Sequence, residues 1–132
     1  MNAMRFKPGA VQPTPVPVAV VGPPDEDDYQ FVASVLSGVT FWLSNVRLLI
    51  RRKDSSPGAM TTTVGVGELA RRWASKCWYE IKIYHADDED ALFLDCRAAV
   101  VFTAPGWQEG ARIVRALKRS GTKCRVVELP GY

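Results

Sequence analysis

The sequence predicts an α/β fold, a Rossmann-like doubly wound sheet of five parallel strands in the order 3-2-1-4-5. Three observations carry this. Val16–Val21 and Ala98–Ala104 are apolar runs without polar alternation, the pattern of central strands covered on both faces. Stripes at helical spacing follow such runs, as in Tyr29, Val32, Ala33 and Leu36. Strand and helix signals alternate as β-α-β-loop-α-β-short helix-β-α-β, and right-handed crossovers make that a parallel sheet with helices on both faces.

Taken in order, residues 1–15 hold several prolines and no apolar period, so they are expected to form a flexible tail. Residues 16–132 then form one domain. In the first strand Pro17 must sit at the start, where a missing N–H is tolerated. Gly22-Pro23-Pro24 ends the strand, and Asp25–Asp28 places negative charge and an Asp cap at the start of a helix. Gly38 is read as that helix's end. Val39–Leu43 is ambiguous, with a loop or short helix favoured over a strand. Val46–Arg51 reads as the second strand.

Residues 52–64 form a long, polar, breaker-rich connection, and such loops are often functional. Arg51, Arg52 and Lys53 at its root are placed to meet an anionic ligand or simply to solubilise. Val66, Leu69, Ala70, Trp73, Ala74 and Cys77 share one helix face. Tyr79–Tyr84 alternates like a strand near a sheet edge. Glu89–Cys96 reads as a short helix leading into Ala98–Ala104. Pro105-Gly106 breaks that strand, because proline lacks the ladder N–H and glycine permits unusual dihedrals. The next helix buries Gly110, Ile113, Val114 and Leu117 and turns Arg112, Arg115 and Arg119 outward, with Gly121 to stop it. Cys124–Leu129 is the last strand.

Charge and composition exclude several classes. The net charge of +3 comes from 17 basic and 14 acidic residues among 132, so charge alone does not indicate a nucleic-acid binder. The acids cluster at Asp25–Asp28 and Asp87–Asp90, and bases dominate from Arg112 to Arg125. Cys77, Cys96 and Cys124 are an odd count without metal-site spacing, consistent with buried free thiols in a reducing cytosol. No apolar run is long enough to span a bilayer, so a cytoplasmic protein with no membrane partner is expected. His85, the only histidine, reads as a polar strand terminus. The carboxylates of Asp87–Asp90 beside it match no EF-hand spacing, and nothing in the sequence calls for a metal or cofactor.

In such a sheet a ligand sits where the strand order reverses, here between the first and fourth strands. The turns facing that crevice are Gly22–Asp25 and Pro105–Gly110. The candidate ligand-binding residues are therefore Gly22, Pro105, Gly106, Trp107 and Gln108, with Arg51, Arg52 or Thr61–Thr63 reaching in from the loop.

Three segments resemble the SLOG superfamily, in its short YspA-like branch: VAVVG before a helix that starts with acids, VGVGELARRWA after the second strand, and VVFTAPGWQEGARIVRALKRSG. The resemblance spans most of Val16–Leu129 and implies a Rossmann-like domain related to phosphoribohydrolases. Where the family has P-G-G-x-G-T, Trp107 stands at the second glycine and Glu109 at the third. Indole bulk crowds a phosphate there, and a carboxylate at 4 Å repels it by about 4 kcal/mol at a surface-like dielectric. The family's catalytic Glu position is Ile113, and the acidic position of its second turn is Gly67, with Glu68 beside it. The resemblance thus implies a domain that binds a nucleotide-derived or other small ligand, or has lost ligand binding, without running the family's reaction. Two alternatives stand beside it. One is an N-glycosidic-bond enzyme like the deoxyribosyltransferases, using Glu109 as base or nucleophile. The other is a phage- or plasmid-type interaction module, in which Trp107, Trp42 and Trp78 would be exposed anchors, although core packing is the favoured reading of all three. A homodimer is the expected assembly if the helices pair.

Overall fold

The computed structural model describes residues 14–51 and 65–130, apart from the side chain of Ala86. The readings of residues 1–13 as a tail, and of Arg52, Lys53 and Thr61–Thr63 as ligand contacts, lie outside the described residues. The order is β1 (Val16–Val21), α1 (Tyr29–Thr40), β2 (Val46–Arg51), α2 (Gly65–Lys76), β3 (Glu80–Tyr84), a 3₁₀ turn (Ala86–Asp88), α3 (Glu89–Asp95), β4 (Ala98–Thr103), α4 (Glu109–Arg119) and β5 (Lys123–Glu128). The five strands form one parallel sheet in the order β3-β2-β1-β4-β5. The predicted fold class is the observed one.

Strand alternation sorts the core into two layers. Val18, Val20, Leu48, Ile50, Val100 and Phe102 point to one face, where Val32 and Leu36 of α1 and Val66, Leu69 and Trp73 of α2 cover them. Ala19, Val21, Leu49, Ala99 and Val101 point to the other, covered by Leu92 and Phe93 of α3 and Ile113 and Leu117 of α4. Central β1 and β4 are apolar on both faces, hence the unbroken runs in sequence.

The helix ends follow local chemistry. Asp28 caps α1 by accepting a hydrogen bond from the Phe31 N–H at 3.0 Å. At the end of α4, Thr122 N–H donates to Leu117 O and Gly121 N–H to Lys118 O, a Schellman closure. One boundary differs from expectation. Helix α1 runs through Gly38 to Thr40, whose hydroxyl donates to Leu36 O at 2.7 Å. Thr40 is buried, and its packing carries the helix past the glycine. Val39–Leu43 is accordingly a helix end and a turn.

The three cysteines are free. Cys96 is buried, while Cys77 and Cys124 are half-buried. Burial pushes all three thiols up, so they stay protonated and unreactive at neutral pH. No helix among the described residues is long and apolar enough to cross a membrane.

Candidate functional site

β1 and β4 are neighbours whose following helices leave to opposite faces, so their C-terminal ends open a crevice. That crevice is a cleft of about 370 Å³ lined by Pro23, Pro24 and Asp25 on one lip and by Ala104, Pro105, Gly106 and Trp107 on the other.

The β4–α4 lip is a turn of defined type. Trp107 N–H donates to Ala104 O at 3.1 Å, with Pro105 and Gly106 between them. Gly106 has φ +94°, as the third residue of a type II turn requires, while a Cβ there would meet open space. The turn demands this glycine; no close contact does. Trp107 then folds back onto the first turn of α4. A Cβ added at Gly110 would lie 3.4 Å from the indole ring and 3.0 Å from Thr103 Cγ2, so glycine lets the ring pack here without displacing either neighbour. The indole N–H is shielded from solvent and has no acceptor among the described residues. An unmet buried donor costs on the order of 1–3 kcal/mol.

The β1–α1 lip is braced from behind by α2. Val66 N–H donates to Pro23 O at 3.1 Å. Gly65 has φ +59°, and a Cβ there would sit 2.3 Å from Pro23 O. Gly22 faces Val66 just as closely, at 2.5 Å for an added Cβ. Gly22 thus lets α2 dock against the turn and is not among the residues lining the cleft.

A second constellation stands where β2, α3 and α4 meet. Arg51 Nη1 reaches Glu89 Oε2 at 2.5 Å and Glu109 Oε1 at 3.3 Å. Arg112 reaches Glu89 at 2.9 and 3.2 Å and Glu109 at 3.3 Å. Two guanidinium groups and two carboxylates balance each other. Burial works to raise the Glu89 carboxyl, but hydrogen bonds from Arg112 and the charges of Arg51 and Arg112 outweigh it and hold it below the usual carboxylate range. Glu68 is likewise committed, to Arg71 at 2.7 Å and Arg72 at 3.0 Å.

The candidate residues therefore separate. Pro105, Gly106 and Trp107 come together at the cleft, joined by Pro23, Pro24 and Asp25. Gln108 is exposed at the start of α4 and makes no side-chain capping bond. Arg51 is turned into the ion-pair lattice, and Glu109 faces both arginines there. Sequence reading missed Glu89, whose partner Arg51 lies 38 residues away and is reached only through the fold. Among the described residues no group of His, Cys, Asp and Glu is placed to hold a metal. His85 is exposed ahead of the 3₁₀ turn.

The tryptophans also divide. Trp107 packs half-buried against the second-face core. Trp42 and Trp78 are 63% and 68% exposed, against the core packing favoured for both. Each stands just beyond a helix end, where the chain turns and the side chain leaves the packed stripe.

No family model, curated protein or solved structure matches the chain.

Proposed function

We propose that this is a SLOG-like domain that binds a small uncharged ligand of nucleoside type in the β1/β4 crevice without catalysing its cleavage. The observation that carries this reading is the composition of the cleft. Its lining offers proline and glycine backbone, one indole and one carboxylate, and no lysine or arginine among the described residues. An aromatic base can lie against Trp107, and sugar hydroxyls can donate to Asp25. Among the described residues a phosphate finds no cation on the lips, and Arg51 and Arg112 are engaged by Glu89 and Glu109.

The pairing of Glu109 also weighs against the glycosidic-bond alternative. A carboxylate nucleophile must approach the reacting carbon with free lone pairs, and Oε1 of Glu109 is engaged by two guanidinium groups.

The test is a thermal-shift comparison of nucleosides, their monophosphates and ribose 5-phosphate. A ligand that binds only the folded state raises the melting temperature. Nucleosides should do so, their phosphates should do so less, and Trp107→Ala should remove the effect. A larger shift with the phosphates, or none with any compound, sinks the proposal. Release of free base that Glu109→Gln abolishes would favour the enzyme reading instead.

A further inference from the structure

The helix layer on the first face is incomplete. Helices α1 and α2 cover the sheet from β3 to β4, but Lys123 and Arg125 on β5 stay exposed. Between the end of α1 and this edge runs a groove of about 460 Å³. Its floor is aliphatic, with Val16, Val18, Ala98 and Val100. Trp42 stands on one wall, and Lys123 and Arg125 stand on the other. Phe41, 79% exposed, packs edge-to-face on Trp42 with ring centroids 5.2 Å apart. Among the described residues the lining includes two cations and no acid.

We infer that this groove is a docking site for an acidic amphipathic segment of a partner protein. Such a segment lays apolar side chains along the aliphatic floor beside Trp42 and sets carboxylates against Lys123 and Arg125. Charge decides between occupants. Residues 1–13 of this chain carry Arg5 and Lys7 and no acid, the wrong sign for the groove. A second copy in twofold contact brings Lys123 and Arg125 against themselves, and charged residues on an edge strand disfavour such pairing. A single-stranded nucleic acid has the right charge, but an aliphatic floor with one indole offers its bases little to stack on. A helix laid in a groove, with apolar anchors on one face, fits both the floor and the rim. The groove lies at the N-terminal edge of the strands, the end opposite the crevice, so this inference is independent of the proposed ligand.

The experiment uses the full chain and a labelled synthetic helical peptide with leucines on one face and glutamates on the other. A lysine-for-glutamate peptide and oligothymidylate serve as competitors. Anisotropy gives affinity, and chemical-shift mapping gives location. The glutamate peptide should bind with shifts at Val16, Val18, Ala98 and Val100. The Lys123→Glu/Arg125→Glu double variant should weaken it at least tenfold while gaining the lysine peptide. Trp42→Ala should weaken it without that swap. The inference is overturned if both peptides bind alike, if the shifts map elsewhere, or if oligothymidylate displaces the peptide. It is equally overturned if the same resonances move with protein concentration alone, which would make the occupant a second copy. Because both basic residues are exposed, the reversal should fold; if it does not, Arg125→Gln alone should still weaken the glutamate peptide.

Discussion

The two faces of the sheet are held in different ways. The first face is sealed by large side chains, with Phe102, Leu36 and Leu48 inaccessible to solvent and Trp73 nearly so. The second has Ala19 and Ala99 on its floor, the seven-residue helix α3 as part of its cover, and an ionic lattice where the first face has more core. Even its buried Tyr84 is tied by charge. The phenol donates to Asp95 at 2.6 Å, and burial followed by that carboxylate holds its pKa well above the ordinary tyrosine range. The first face should therefore respond to lost volume and hardly to salt or pH. The second should respond to both.

The sharpest break in this comparison is Phe102→Ala. The ring is fully buried and meets Phe31 edge-to-face at 6.4 Å. Truncation should cost about 3–5 kcal/mol, with the same loss at low and high salt. Urea unfolding at two ionic strengths measures both. A loss that shrinks with salt would show that charges also hold the first face.

Next comes Gly65→Ala. The positive φ alone costs an alanine about 1–3 kcal/mol, and the overlap with Pro23 O adds to it. This substitution also pushes the β1–α1 lip, so it should lower both stability and nucleoside affinity. Unchanged affinity would mean that α2 does not set the shape of the crevice.

On the second face, Arg51→Met removes one cation from the lattice and leaves Glu89 and Glu109 to Arg112. The side chains of Arg51 and Glu89 are 14% and 17% exposed, so solvent screens the pair only in part. We expect a loss of roughly 1–3 kcal/mol that diminishes as salt rises. Acid provides a second reading. Because the fold holds Glu89 below its ordinary pKa, its contribution is whole above about pH 4.3 and is lost as pH falls through the lower folded value. Glu89→Gln should flatten that acid limb in a series of melting curves. An unchanged limb would assign the acid sensitivity to other carboxylates.

What the sequence disclosed follows the range of each interaction. Strands, helices and their order are written in local periodicity, and the reversal between Val16–Val21 and Ala98–Ala104 follows from that order. The Pro105-Gly106 turn is equally local, and it marks in the sequence where β4 ends and one lip of the cleft begins. Commitments between distant residues left no such trace. Arg51 looks like a free cation at a loop root until Glu89 and Glu109 arrive through the fold. Gly22 looks like a ligand-approach glycine until Val66 is packed against it. Trp42 and Trp78 look like core residues because composition records hydrophobicity and not direction. The groove had one legible sign, the alternating bases Lys123 and Arg125 on a strand following a basic helix.

Trp78 carries the smallest prediction and the most direct one. It is the only non-glycine described residue with positive φ, at 63°. Tyr79 N–H donates to Ala74 O and Trp78 N–H to Ser75 O, so the indole occupies the left-handed position of a Schellman closure on α2, where glycine is the usual residue. That conformation costs a side chain on the order of 1–2 kcal/mol, and an indole 68% exposed recovers little of it by packing. Trp78→Gly should therefore stabilise the protein by up to about 1 kcal/mol, the larger entropy of glycine in the unfolded chain offsetting part of the gain. A denaturation midpoint that rises with unchanged slope would place the strain in the backbone at the end of α2. A midpoint that falls would mean the indole makes contacts worth more than the strain, and the first face would then extend its packing beyond the sheet's edge.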